Sequence, residues 1–195
     1  MLREKSNLLD AALWNAFRKG DYQAFNQIYM RYSKDLLSYG IKITNDLQMA
    51  EDSLHDLFIE LWTSRKNLSD TDSIKFYLFK ALRNKVSKMK SRDQFYQMKD
   101  LTNENFNADE FVIENYLIEI ETHDQLQNQL KKNFKLLSPR QQQALNLRFY
   151  HHFNNEEIAE VMGINYQSAC KFIYSGIKAL KDVVRILSLL FLFNL

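Results

Sequence analysis

Apolar side chains recur along this chain at steps of three and four residues, the spacing that keeps them on one face of a helix. The first run is Leu9, Leu13, Ala16 and Phe17, closed by Gly20. Asp21 can cap a second run whose inward face reads Phe25, Ile28, Tyr29, Tyr32, Leu36, Leu37 and Tyr39. Gly40 marks either the end of that helix or the close approach of another. A third helix is predicted to start near Asp46 or Leu47 and to end at Trp62, burying Ala50, Leu54, Leu57, Phe58 and Leu61. The fourth, from Ile74 to Arg92, buries Leu78, Ala81, Leu82 and Val86. Together these runs predict a first helical domain over residues 1–92.

The pattern lapses over 93–121, where Asn103, Asn105 and Asn107 break it. A linker is expected there, helical from Asp109 onward. Regularity returns from Leu136 to Leu180, within a second domain predicted over 122–187. Ser138 before Pro139 is a helix start, and Ala144, Leu145, Leu147 and Phe149 form the stripe behind it. Asn154 and Glu157 stand three apart as in a capping box. The short helix they open buries Ile158, Ala159, Val161 and Met162 and stops at Gly163. Asn165 can cap once more, ahead of Ala169, Ile173, Ile177 and Leu180. A short helix, a glycine turn and a second capped helix describe a helix-turn-helix, although an ordinary helical hairpin shares the same caps. In a helix-turn-helix, Tyr166, Gln167, Cys170, Lys171 and Tyr174 meet base edges, with Lys178 near phosphate. The closing residues 188–195 form an apolar tail. It is too short to cross a bilayer and is read as a helix extension or as a segment that a partner covers.

Composition narrows the class. With 4 Gly and 1 Pro in 195 residues, an all-α fold of two small helical domains is expected. A single Cys excludes an internal disulfide and any cysteine-based zinc site, which fits a reducing cytoplasm. Asp10 and Asn15 interrupt the first leucines, so no secretory signal is read there. His55, His123, His151 and His152 form no metal-ligand pattern, and the His151–His152 pair is expected to point to opposite sides of a helix end, as surface or helix-terminal residues. No phosphate-cradling loop or nucleophile motif occurs. No catalytic residue, metal or cofactor is therefore expected, and the chain is not read as an enzyme.

Charge sharpens this further. The net charge is only +2, but residues 93–121 hold eight acidic side chains against Lys99 alone. The 74–92 helix carries Lys75, Lys80, Arg83, Lys85, Lys88, Lys90 and Arg92 and no acid, with Phe76, Tyr77 and Phe79 between them. Cations for phosphate and rings for unpaired bases are what a single strand requires. The plain alternative is a basic helix with its aromatics in the core. The third helix turns Glu51, Asp52, His55, Asp56 and Glu60 outward, as a solvated surface or as a docking face for a basic partner.

Four stretches carry a family resemblance: GDYQAFNQIYMRYSKDLLSYG (20–40), AEDSLHDLFIELW (50–62), FKALRNK (79–85) and LSPRQQQALNLRFYHHFNNEEIAEVMGIN (137–165). In that order and spacing, from about Leu13 to Arg185, the chain resembles bacterial RNA polymerase sigma factors of the extracytoplasmic-function class. The resemblance implies binding to core RNA polymerase and promoter-specific initiation of transcription. It assigns Asp52, His55, Asp56 and Glu60 to the clamp of the β′ subunit. The loop Asn67–Ser73 and the basic helix, with Lys75, Phe76, Lys80, Arg83 and Asn84, would capture the melted minus-ten element. The helix-turn-helix would read the minus-thirty-five element as duplex, close to the flap of the β subunit. Partners of the class include promoter DNA and an anti-sigma factor. Against the family pattern, His55 replaces a frequent Gln, Lys88 a usual Asp or Asn, and Cys170 and Ser175 a frequent Arg. A stand-alone helix-turn-helix activator and a helical adaptor are the other classes the residues allow.

Overall fold

The computed structural model describes the backbone of residues 2–97 and 133–193 and the side-chain surroundings of 9–91 and 133–181. All regular structure among these residues is helical. The chain divides into two compact units, Met1–Ala108 and Asp109–Leu195.

In the first unit, α1 (Leu2–Arg18), α2 (Tyr22–Thr44), α3 (Leu47–Thr63), a one-turn 3-10 helix (Arg65–Asn67) and α4 (Ile74–Gln97) follow one another. Their ends are where local chemistry puts them. Gly20, at φ 97°, reverses the chain after α1, and the Asp21 carboxylate accepts from the amides of Gln23 and Ala24. Asn45 takes the left-handed conformation after α2, and Asp46 caps α3 by accepting from the Met49 amide. Helix α2 packs against α1, α3 and α4, so its buried Ile28, Leu36 and Tyr39 form the middle of the core. Trp14 and Phe17 close it from α1, Leu57 and Leu61 from α3, and Ile74, Leu78, Phe79 and Leu82 from α4. Each such side chain contributes about 1.5–3 kcal/mol of apolar burial.

Some expected faces turn out rotated. Leu9 is exposed, and the buried line of α1 runs through Trp14 and Phe17 instead. Tyr29 is also exposed, resting its ring against Phe58 at 4.8 Å on the rim of α2 and α3. Gly40 does not end α2: a Cβ there would lie 3.2 Å from Ala50 Cβ, so the glycine lets α3 approach. On α4, Phe79 occupies the core position expected of Ala81.

In the second unit, α5 (Pro139–Phe149), α6 (Asn155–Met162) and α7 (Tyr166–Phe193) pack together. Both capping boxes are formed. The Ser138 amide donates to Gln141 Oε1 at 2.9 Å, and the Asn154 amide to Glu157 Oε2 at 2.7 Å. Gly163 sits at φ 63° in the turn, and the Ser168 amide donates to Asn165 Oδ1 at 2.7 Å to start α7. Phe149 is 61% exposed and Ile177 41%, so neither belongs to the core as expected. A Cβ on the buried Gly176 would lie only 2.9 Å from Leu145 Cδ1; the α5–α7 contact closes on this glycine. The two histidines point to opposite sides just past the end of α5: His151 is buried beside Phe153 and edge-on to Tyr150, whereas His152 is exposed.

Helix α4 continues to Gln97, past the expected start of the linker, and the remainder of that segment lies outside the described residues. The 188–195 tail is helical as far as Phe193, and its side chains also lie outside them. No described helix is long and apolar enough to cross a membrane.

Candidate nucleic-acid interface

Helix α3 buries one face and exposes the other, and the second is acidic. Glu51, Asp52, His55, Asp56 and Glu60 are all exposed, with Ile59 among them, while Ser53, Leu54, Leu57 and Phe58 turn inward. Asp52 is steadied by Gln48, whose Nε2 donates to Oδ1 at 2.9 Å. Across the groove, Lys85 Nζ of α4 stands 2.8 Å from Glu60 Oε2 and 3.9 Å from Asp56 Oδ2. The hydrogen bond from Lys85, and then its charge, hold the Glu60 carboxyl below the ordinary carboxylate value. The Lys85 side chain is 19% exposed, so its charge is largely committed to α3.

Between the C-terminal half of α3, Leu68 and α4 lies a cleft of about 220 Å³. That is below the roughly 300–1,000 Å³ of a drug-sized ligand pocket. Leu57, Leu61, Leu68 and Ala81 give it apolar walls, and Tyr77 lends a ring. Ser64, Asn84, Glu60, Lys85 and Lys88 supply its polar rim. Burial, and secondarily the Glu60 charge, raise the Tyr77 phenol above its ordinary value, so it remains a neutral donor at physiological pH.

The residues expected to bind a strand are placed unequally. Asn84, exposed, lines the cleft, and the neighbouring Arg83 donates to Asn84 Oδ1 at 3.2 Å. Lys80 is exposed, 5.8 Å from the centroid of the half-buried Phe76 ring. Lys75 instead leans toward Asp35 of α2 at 3.9 Å, and burial lowers its pKa. Lys90 likewise turns inward, donating to the Ile43 carbonyl at 2.7 Å. Phe79, one of the three interleaved rings, is wholly in the core.

Sequence patterns missed what holds the loop in front of α4. Asp10, Trp14 and Arg18 are spaced by four along α1 and share a face. Asp10 Oδ2 accepts from the Ile74 amide at 3.3 Å, Trp14 Nε1 donates to the Ser69 carbonyl at 2.9 Å, and Arg18 pairs with Asp70. The one available signal was a carboxylate four residues before a tryptophan in an apolar stripe.

In the second unit, α7 presents Tyr166, Gln167, Lys171, Tyr174 and Lys178 outward, with Tyr174 72% exposed. Cys170 is half-buried, 3.3 Å from Asn155 Nδ2, so it faces the start of α6. Ser175 is turned toward α5, accepting from Gln141 Nε2 at 2.8 Å. Gly163, the two capping boxes and the Gly176 contact fix the angle at which the α7 face is offered. Among the described residues no cluster of three or more His, Cys, Asp or Glu could hold a metal.

Comparison with known proteins gives a consistent picture. Residues 28–95 match the model of Sigma-70 region 2, and residues 130–180 that of Sigma-70, region 4. The chain is 25% identical over 142 residues to the RNA polymerase sigma factor YlaC of Bacillus subtilis (strain 168), covering 72% of this chain and 80% of that protein. Two solved structures share its fold. The sigma factor RpoE, in complex with the anti-sigma factor NepR from Bartonella quintana, has a TM-score of 0.54 at 20% identity, over 83% of this chain and 97% of its own. CnrH, in complex with the cytosolic domain of CnrY, has a TM-score of 0.55 at 14% identity, over 91% and 97%.

Proposed function

Because the chain carries region 2 and region 4 of the Sigma-70 family, we propose that it is a sigma factor of the extracytoplasmic-function class. It binds core RNA polymerase and directs initiation at a particular set of promoters. The acidic face of α3 docks on the β′ clamp through Asp52, His55, Asp56 and Glu60, where charge complementarity speeds encounter and fixes orientation. The second unit meets the β flap and lays α7 in the major groove of the minus-thirty-five element. Gln167 pairs with adenine and Lys171 with guanine; Tyr166 and Tyr174 make the apolar contacts, Cys170 contributes less because it is held against Asn155, and Lys178 holds phosphate.

Strand opening follows from binding alone. An unpaired base of the minus-ten element enters the cleft, stacks against Tyr77 and bonds with Asn84 and Ser64. Lys80, Arg83 and Lys88 hold the flanking phosphates, Phe76 offers a second platform, and Lys75 contributes less because it leans on Asp35. The chain performs no covalent step and uses no cofactor. An anti-sigma factor is its proposed regulator, since the similar RpoE was solved with one. The cytoplasm is the compartment that goes with these partners.

The observation that carries this reading is the joint presence in one unit of the exposed α3 carboxylates and a cation-rimmed cleft of about 220 Å³ with an aromatic wall. Run-off transcription with core polymerase, with and without this protein, across a promoter library from its own genome is the test. Initiation at a distinct promoter set only when the protein is added is expected. No added initiation from folded, inhibitor-free protein would overturn the reading in favour of a stand-alone activator or an adaptor.

A further inference from the structure

The match to region 2 begins at residue 28, so α1 lies outside it. Yet α1 holds the loop 68–73 that leads into α4 and contributes Leu68 to the cleft. Its row of three side chains grips this loop at successive points: Arg18 on the Asp70 carboxylate, Trp14 on the Ser69 carbonyl and Asp10 on the amide of Ile74, where α4 begins. The grip extends into the cleft wall. The Trp14 ring packs 4.9 Å from the Tyr77 ring, and Leu68 stands one residue before the clamped Ser69; Tyr77 and Leu68 both line the cleft. The Ser73 amide donates to Thr71 Oγ1, and the Phe76 amide of α4 to Ser73 Oγ, bonds that tie the end of the loop to the start of the helix.

We propose that α1 is a brace for the cleft, and that Trp14 and Arg18 are positioning residues which set how strictly it discriminates between unpaired bases. This rests on the reading of the cleft as the site for such a base. Discrimination requires the walls to stay put when the wrong base enters; a loop free to move would re-form around it. Arg18 is the informative residue, because Asp70 is 84% exposed and a surface ion pair contributes little to folding. Removing the pair loosens the loop without dismantling the core. Trp14, by contrast, is fully buried, and its replacement acts on packing as well.

The experiment has two readouts on Arg18→Ala, Asp70→Ala and the charge exchange Arg18→Asp with Asp70→Arg. Amide hydrogen exchange over residues 68–73 of the full chain reads the brace itself. Equilibrium binding of the complex with core RNA polymerase to single-stranded promoter oligonucleotides, varied at one base, reads discrimination. Faster exchange, and a fall of about two- to tenfold in the ratio of preferred to non-preferred base, are expected from each single variant; this is the scale of ordering one or two side chains. Recovery of both in the charge exchange would support positioning by the pair. Unchanged exchange would overturn the brace, and faster exchange with unchanged discrimination would overturn its role in base selection. Absence of any base preference in the unaltered complex, or a preference untouched by Asn84→Ala, would instead overturn the reading of the cleft, and the brace's role with it.

Discussion

Lys42, in the last turn of α2, is a cation that the fold holds at a cost. Burial lowers its pKa from 10.5 to about 8. A displacement of about 2.5 pH units at about 1.4 kcal/mol each amounts to roughly 3 kcal/mol spent on keeping this ammonium charged in the folded state. Its sign follows from proton counting. Below pH 8 both folded and unfolded chains hold the proton, and the penalty is present in full. Between about 8 and 10.5 the unfolded chain holds more protons than the folded one, so stability rises with pH. Lys42→Met keeps the length and the apolar stem but removes the charge. It should stabilise the first unit by up to about 3 kcal/mol at neutral pH, and that lead should shrink to about 1.5 kcal/mol near pH 9.5. Lys75 and Lys90, whose pKa values burial also lowers, act alike in both proteins and cancel in the difference. Urea denaturation followed by tryptophan fluorescence isolates the effect, because both tryptophans, Trp14 and Trp62, belong to the first unit. A variant less stable than the parent at neutral pH, or a lead that does not fall as pH rises, would refute the reasoning.

The same fluorescence assay tests Asp10→Ala. Losing the bonds to the Ile74 amide, Tyr32 and Arg31 should cost about 2–4 kcal/mol, and a loss below about 1 kcal/mol would count against a buried hub. Gly176→Ala should loosen the second unit, since overpacking against Leu145 costs about 1–3 kcal/mol and the gain in helix propensity returns only about 1. Amide exchange over residues 139–181 should quicken, and added protection there would contradict the close contact. Binding of a single strand by the complex with polymerase should lose about 0.7 from its salt slope in Lys88→Ala and almost nothing in Lys75→Ala, which faces Asp35. Equal slopes for the two variants would remove the distinction drawn between them.

Local chemistry made the helix ends legible. Asp21, Asp46, Ser138, Asn154 and Asn165 cap where their side chains can reach free amides, and Gly163 turns where a left-handed residue is needed. The acidic face of α3 was legible for a similar reason, since a 3.6-residue period divides its charges from Leu54, Leu57 and Leu61. What periodicity could not supply is the depth of each contact. A stripe names a face about 100° wide, so Phe149 and Ile177, at its edges, were read as core and are exposed. Gly176 has no side chain to enter a stripe, yet α5 and α7 close on it. Asp10 escaped notice because its partner amide is 64 residues away, and Lys75 because its counter-charge lies on another helix.

The arrangement of α3 and α4 bears on how docking and strand capture relate. Lys85 belongs to the cleft rim by position and to the α3 carboxylates by bonding. While it neutralises Glu60, the acidic face offered to a basic partner is weaker by part of a charge, and the cleft lacks part of a cation. A basic group arriving at Glu60 and Asp56 competes with Lys85 for the same oxygens. The pair is more than half exposed on the carboxylate side, so water screens it, and the competition costs little, on the order of 1 kcal/mol or less. A lysine displaced from Glu60 remains on α4, beside Asn84 and Lys88, where a phosphate can take it up. Within the proposed function, docking at α3 and phosphate binding at α4 therefore favour the same displacement of one side chain. Each lowers the cost of the other, and the reciprocity follows from their sharing Lys85, without any movement of the helices.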